Sequence, residues 1–240
     1  MIKNKTSYLT ATLLTFFILS FNESAVAVDK IPAGIAITSE GNVTVIDSDN
    51  GKRALKRGDS FYPLETIIIG AESVAQLKFT DGGLVQLIPT SEFRIDSYRF
   101  KTVNHLDESI TSLAKGGLRA LSGSIAKENP SNVTIKTPVA TIGLLGTTIE
   151  CITSETETYC SCTEGTIEIK NLLGKIVIGK GRKQFAQVKA NQMPRSFLER
   201  PTALSPKIFT SPHELEEIRN MPDHSFRNPE FFESESRKIK

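Results

Sequence analysis

Two stretches carry the small residues and hydroxyls from which anion cradles and nucleophile turns are made. They are KGGLRALSG (115–123) and TPVATIGLLGT (137–147). A phosphate loop needs G-x-x-x-x-G-K-[ST] between a strand and a helix, so that backbone N–H groups and a lysine converge on the anion. Here Gly143 and Gly146 are three apart, no lysine follows, and Thr147-Thr148-Ile149-Glu150 continues as a strand-like run. The dinucleotide fingerprint fails for the same reason. Glycines between two strands are better explained as bends or bulges, where a side chain would clash, and Gly116, Gly117 and Gly123 read the same way.

The three cysteines are the next candidates. IECITSETETYCSC reads as two short strands around a polar turn at Thr153–Thr158. Folding it about Glu155-Thr156 sets Cys151 opposite Cys160, and moving the turn by half a residue sets it opposite Cys162. Residues two apart in a strand share a face, so one disulfide, Cys151 to Cys160 or Cys162, is expected, with one thiol left over. A zinc site would want a fourth ligand, and His105, His213 and His224 are all distant in sequence. The same three histidines sit in polar or proline-rich surroundings and read as solvated residues, not as bases beside a nucleophile. Asp81 and Asp96 are single carboxylates at turn-like positions. Asp47-Ser48-Asp49-Asn50-Gly51 comes nearest to a calcium loop, but its order reads first as a hairpin turn. Arg57-Gly58-Asp59-Ser60 spells a cell-attachment tetrapeptide and reads as a strand-connecting turn. No catalytic residue, cofactor site or metal site is therefore expected.

The elements that must position these residues are strands. GNVTVID (41–47), SVAQLKF (73–79), GLVQLI (83–88), EFRIDSY (92–98), SNVTIKT (131–137), TIEIKN (166–171) and KIVIGKG (175–181) alternate apolar and polar residues. Turn signals such as Asp49-Asn50-Gly51, Thr80-Asp81-Gly82-Gly83 and Glu164-Gly165 separate them. The expected fold is all-β: a solenoid-like or sandwich-like array of short strands over residues 28–190. Ahead of it, Lys3 and Lys5, an apolar run from Leu9 to Phe21 and Ala25-Val26-Ala27 form the three-part pattern of a secretory signal with cleavage after Ala27. Cleavage leaves no stable membrane span. Losing Lys3, Lys5 and Glu23 leaves 27 basic and 26 acidic residues, a balance that points away from nucleic acid. Residues 191–240 are broken by six prolines into a mostly irregular tail. One short helix is predicted there, capped by Ser211-Pro212-His213-Glu214 and stopped at Pro222.

FTDGGLVQLIPTSEFRIDSYRF (79–100), AKGGLRALSGSI (114–125) and VTIKTPVATIGLLGTT (133–148), taken as an ordered series, resemble the successive blocks of the FecR-domain family, with LKRGDSF (55–61) where that family has a G-D turn. The likeness runs over about residues 40–150, and the strand-turn-strand at 159–188 is similar to what often follows the core in exported members. It implies a β-rich domain outside the inner membrane. It also implies a structural turn set: Asp81, Gly82, Gly116, Gly117, Arg119, Gly123, Thr137, Pro138, Gly143, Gly146 and Thr147. One departure is Leu145, where the family commonly has Arg before the last Gly-Thr. Founding members relay a signal from an outer-membrane receptor to a cytoplasmic sigma factor. With only eight residues before Leu9, no anti-sigma segment is expected ahead of the apolar run.

The resulting expectation is a non-catalytic, exported protein of the Gram-negative bacterial envelope, periplasmic or extracellular. It would bind another envelope protein or a cell-wall polymer through sheet edges, loops or its tail. A glycan or peptidoglycan-binding module is the alternative, weakened by the absence of Trp. A receptor-linked signalling component and a secreted hydrolase with a site assembled from distant residues stand behind these.

Overall fold

Alternating burial along nearly every segment produces strands. In the computed structural model, which describes residues 30–102 and 106–204 together with Glu217 and Asn220, they run in chain order as follows. β1 is Gly34–Glu40, β2 Val43–Ile46, β3 Lys52–Ala54, β4 Ser60–Phe61, β5 Thr66–Ile69, β6 Val74–Phe79, β7 Leu84–Leu87, β8 Glu92–Arg99 and β9 Glu108–Leu121. After a one-turn helix, α1 (Ser124–Glu128), and a 3-10 turn at Pro130–Asn132 come β10 Val133–Lys136, β11 Thr141–Leu144, β12 Thr148–Thr153, β13 Glu157–Glu164, β14 Thr166–Asn171, β15 Gly174–Gly179, β16 Phe185–Lys189 and β17 Arg195–Phe197.

The pairings build two sheets. The first runs β4, β1, β6, β7, the second half of β9, β12, β13, β16, β17. The second runs β3, β2, β5, β8, the first half of β9, β10, β11, β14, β15. All these pairs are antiparallel except β9 with β10. From β5 onward the chain mostly lays two strands in one sheet, then crosses to the other, so the sandwich also grows as a coil. The long strand β9 makes its crossing in mid-strand: Lys115 still pairs with Glu92 in the second sheet, while Gly116 pairs with Thr153 in the first.

Side chains from the inner faces meet in one core. Leu77, Val85, Ala120 and Ile149 are cross-strand neighbours in the first sheet, and Phe93, Leu113, Ile135, Ile142 and Ile169 belong to the second. α1 closes one end of this core with Ile125 and Ala126. The sheet continues past residue 190: β17 pairs with β16 through Phe185 and Phe197, and Leu204 is buried. Glu217 and Asn220, within the predicted short helix, are helical and exposed.

Candidate interaction surface

The residues singled out in the glycine-rich stretches gather at the ends of the strands, where they clasp one crossing to the next. Gly116 has φ +85°, and a Cβ there would lie 2.4 Å from the Ser91 Cα, so the β9 corner can be built only from glycine. Ser91 Oγ accepts a hydrogen bond from Gly117 N–H and donates one to Gly117 O, each 2.9 Å long. At the far end of the same half-strand, Thr147 N–H donates to Ser122 Oγ (3.0 Å), and Ser122 N–H and Oγ–H both donate to Thr147 O (3.1 Å each).

Asp81 holds the same end. Its Oδ1 accepts from Gly83 N–H at 3.0 Å and its Oδ2 from Ile125 N–H at 3.3 Å, while its own N–H donates to the Tyr98 hydroxyl at 2.9 Å. A Cβ on Gly123 would fall 2.2 Å from Asp81 Oδ2, so the Asp-Gly turn and the Ser-Gly turn need each other. Gly82 sits at the tip of that first turn with φ +82°. Burial raises the Asp81 carboxyl above the ordinary carboxylate range, against the pull of its backbone donors. The Tyr98 hydroxyl is pushed far up by burial and by the Asp81 charge.

Two glycines do something other than bend. Gly143 lies inside β11, in unbroken register between Thr134 and Glu168, so the bend expected there is absent; the corner falls at Gly146, with φ +73°. Gly117 is likewise within a strand, where a Cβ would meet Ile88 Cδ1 at 2.7 Å. The tight T-P-x-A turn is closed by Thr137 N–H to Ala140 O (2.8 Å) and Ala140 N–H to Thr137 Oγ1 (3.0 Å). Thr158 Oγ1 donates to the same Thr137 hydroxyl.

Arg119 reaches an ion pair that no sequence motif announces. It faces Glu150 across β9 and β12, and both side chains are buried. Glu150 also accepts from Arg200, whose guanidinium lies 5.9 Å from the Phe185 ring centre, and from Ser161 Oγ at 3.3 Å.

The hairpin of β12 and β13 places Cys151 directly opposite Cys160, and the two form a disulfide with Cα atoms 4.2 Å apart. Cys162 is the buried free thiol, pushed up to about 11 by burial and then by the Glu164 charge. Arg57-Gly58 forms a half-buried turn tied to β1 by Gly58 N–H to Ala36 O (2.7 Å), with the Asp59 carboxylate accepting from Lys56 N–H (2.8 Å). Asp47 Oδ1 accepts from Asp49 and Gly51 N–H groups, which makes that run a hairpin turn. His105, His213 and His224 lie outside the described residues.

Beyond the clasps, the end of the second sheet is open. A cleft of about 540 Å³ lies between the Thr137–Ala140 turn and the β14–β15 hairpin, with Glu155, Lys170 and Leu172 on its walls. A second, of about 500 Å³, shares Thr141 and Lys170 with it and runs over Gly143, Leu145 and Glu168. The missing side chain at Gly143 leaves its floor bare. Leu172 is wholly exposed, and Leu173, Met193 and Leu145 are exposed as well. Their apolar side chains, with Lys170 and Glu168, can take a partner offering both apolar and charged groups. Leu172-Leu173 follows Asn171 in an Asn-x-x-Gly hairpin tip, so the signal for this tip was in the sequence, but not its exposure.

The family model described as FecR protein matches residues 65–168. No curated protein matches the chain. Among solved structures, two crystal structures of "a putative anti-sigma factor" from Parabacteroides distasonis ATCC 8503 resemble it. They are 13% and 12% identical, with TM-scores of 0.45 and 0.43, and each comparison covers 55% of this chain. The chain spans 59% of the length of each of them.

Proposed function

Taking residues 65–168 as a FecR domain, we propose that this protein is a non-catalytic interaction module of the bacterial envelope, exported by its N-terminal signal and serving envelope signalling. The surface that contacts the partner is the open end of the second sheet, and the partner is another envelope protein. The observation that carries this reading is the wholly exposed Leu172, beside Leu173 and Met193, at the mouth of the cleft. A leucine pair on a hairpin tip loses hydration cost only when something covers it, and contiguous exposed apolar groups mark contact surfaces more often than chance. The cleft walls carry no aromatic ring, which favours a protein partner over a sugar polymer.

The test is retention of envelope proteins by the immobilised full chain, compared with Leu172→Ser/Leu173→Ser. The expected result is a partner captured reproducibly by the parent and lost at least tenfold from the double variant, whose β-sheet spectrum is unchanged. Equal capture by both would refute the assignment of this surface. Sedimentation of both proteins with purified peptidoglycan would replace the protein partner by the polymer if only the parent co-sediments.

A further inference from the structure

The outer face of the first sheet is dry at its centre. Gln86, Arg119 and Glu150 lie in register across β7, β9 and β12, and all three are buried, with Arg200 laid on Glu150. The outer face of the second sheet is charged and wet, and Asp96 pairs there with Arg94 (3.4 Å) and Lys136 (3.3 Å). Its last strand, β15, is left unpaired on one side. Of the four strands that end the two sheets, β4 has two residues and β3 and β17 have three each, too short to template a further strand. β15 has six, in unbroken register with β14, without a proline or a bulge. Sheet proteins ordinarily blunt an edge of this kind.

The hydrogen-bond phase fixes which groups that edge offers. Leu145 N–H donates to Thr166 O (3.3 Å), so Thr166 faces β11, and with it Glu168 and Lys170. Ile167, Ile169 and Asn171 then face β15, and their partners Ile178, Ile176 and Gly174 face back. Lys180 N–H donating to Gly165 O (2.8 Å) keeps the same phase. The N–H and C=O of Lys175 and of Val177 therefore point away from β14, and among the described residues none hydrogen-bonds to them. Gly179 N–H, the next on that side, is taken by Lys183 O (3.0 Å). Val177 is 37% exposed, and Ile176, on the inner face, is only partly buried against the core.

Charge selects the occupant. Residues 165–190 hold six basic side chains, Lys170, Lys175, Lys180, Arg182, Lys183 and Lys189, against one acidic, Glu168, in a chain whose charges otherwise nearly balance. All six are exposed, and among the described residues only Lys175 and Lys189 have an acidic partner, Glu168 (3.0 Å) and Glu157 (4.0 Å). A second copy joined edge to edge would bring two such clusters together, which like-charge repulsion opposes. We propose that β15 receives an extended acidic segment of the partner protein as one more strand of the second sheet. Its acidic side chains lie beside Lys175 on the outer face and alternate with apolar ones that finish the burial of Ile176. This rests on the reading of the open end of the second sheet as the contact surface, and states how the partner is held there.

The probe is a synthetic peptide of four Glu-Val repeats, titrated into the full chain and followed by amide NMR and hydrogen exchange. In the free protein the Lys175 and Val177 amides should exchange at least tenfold faster than those of Ile176 and Ile178; equal protection would show the edge already occupied and overturn the proposal. The peptide should shift and protect those two amides, and a Lys-Val peptide of the same length should not. Val177→Pro removes an N–H that the ladder does not use and should abolish binding. Lys175→Glu/Lys180→Glu should weaken it at least tenfold with an unchanged β-sheet spectrum. No response of Lys175 and Val177, equal responses to both peptides, or unweakened binding by Lys175→Glu/Lys180→Glu would overturn the proposal. So would a parent dimer in sedimentation that Val177→Pro dissolves, which gives the edge to a second copy. Leu172→Ser/Leu173→Ser leaves the β15 amides in place, so the two readings separate: capture lost with the leucines but no peptide response sinks strand addition alone, and peptide binding with equal capture sinks the leucine tip alone.

Discussion

Glu150→Gln should be among the most damaging single substitutions in the protein, although it removes no atom of bulk. Glu150 and Arg119 are 6% and 7% exposed as side chains, and Arg200 is 30% exposed. The carboxylate answers two guanidinium groups and the Ser161 hydroxyl. Removing one member of a buried pair strands the other charge, at a cost of about 3–5 kcal/mol. Glutamine keeps one carbonyl oxygen, so the lower end, about 3 kcal/mol, is expected. Arg200→Ala exposes less unpaired charge, because its partner keeps Arg119, and should cost about 1 kcal/mol, in the range of partly exposed pairs. Replacing both buried members, Arg119→Met with Glu150→Met, removes the stranded charge and should recover most of the loss. Equilibrium urea unfolding of the oxidised protein reads all of this. At a slope of about 2 kcal/mol per molar, Glu150→Gln should lower the midpoint by about 1.5 M. A Glu150→Gln midpoint within 0.3 M of the parent's would show that the cluster is hydrated and that the first sheet's outer face is not dry. A double variant no better than Glu150→Gln alone would refute the stranded-charge explanation.

Three further outcomes follow from the cysteines and from Asp81. Cys151→Ser/Cys160→Ser opens a loop with a sequence separation of 9, which by loop entropy costs about 2–3 kcal/mol; the loss should appear in the same urea titration, and a change below 1 kcal/mol would refute it. In the native protein Cys162 should resist a thiol reagent at pH 8, since its buried thiol is held up to about 11, and should react fully after unfolding; rapid native labelling would contradict the buried position. Asp81 is raised by burial, so between its ordinary range and its higher folded value the folded protein holds the extra proton. Stability due to this group therefore falls as pH rises through that window. The difference in unfolding free energy between parent and Asp81→Asn should shift accordingly from pH 3.5 upward, against the parent, and a pH-independent difference would refute it.

The all-β class was legible because alternation survives in single strands: Val43 and Val45, or Ile167 and Ile169, declare one face without help from the rest of the chain. The corners were legible where glycine is demanded by the backbone, as at Gly116 and Gly146. Gly143 was misjudged because a glycine inside a paired strand has the same sequence signature as one at a bend; only its register between Thr134 and Glu168 tells them apart. The Cys151–Cys160 pairing was one of two options differing by half a residue of turn, and the Ser154–Glu157 closure decides it. The clasps Ser91–Gly117, Ser122–Thr147 and Asp81–Ile125 span 26, 25 and 44 residues, and nothing local encodes such pairs. Arg119 was visible as part of a turn pattern, but its partner Glu150 looked like one more polar position of an alternating strand.

The long-range clasps also show what the small residues and hydroxyls of the glycine-rich stretches do in the fold. Ser91 and Ser122 each donate their hydroxyl hydrogen to the carbonyl of the same residue whose N–H they accept, so neither has a hydrogen left to donate elsewhere. The amides that might have formed an anion nest are already turned onto Asp81, Ser122 and Ser91. With these groups holding one crossing to the next, the proposed recognition falls to what the clasps do not use. One outer face is dry and carries the start of the C-terminal segment; the other is charged, and ends in a bare-floored cleft under two exposed leucines. A partner that avoids displacing a buried Arg–Glu pair has the second sheet and its hairpin tip to bind, which is why substitutions there should change capture without changing stability.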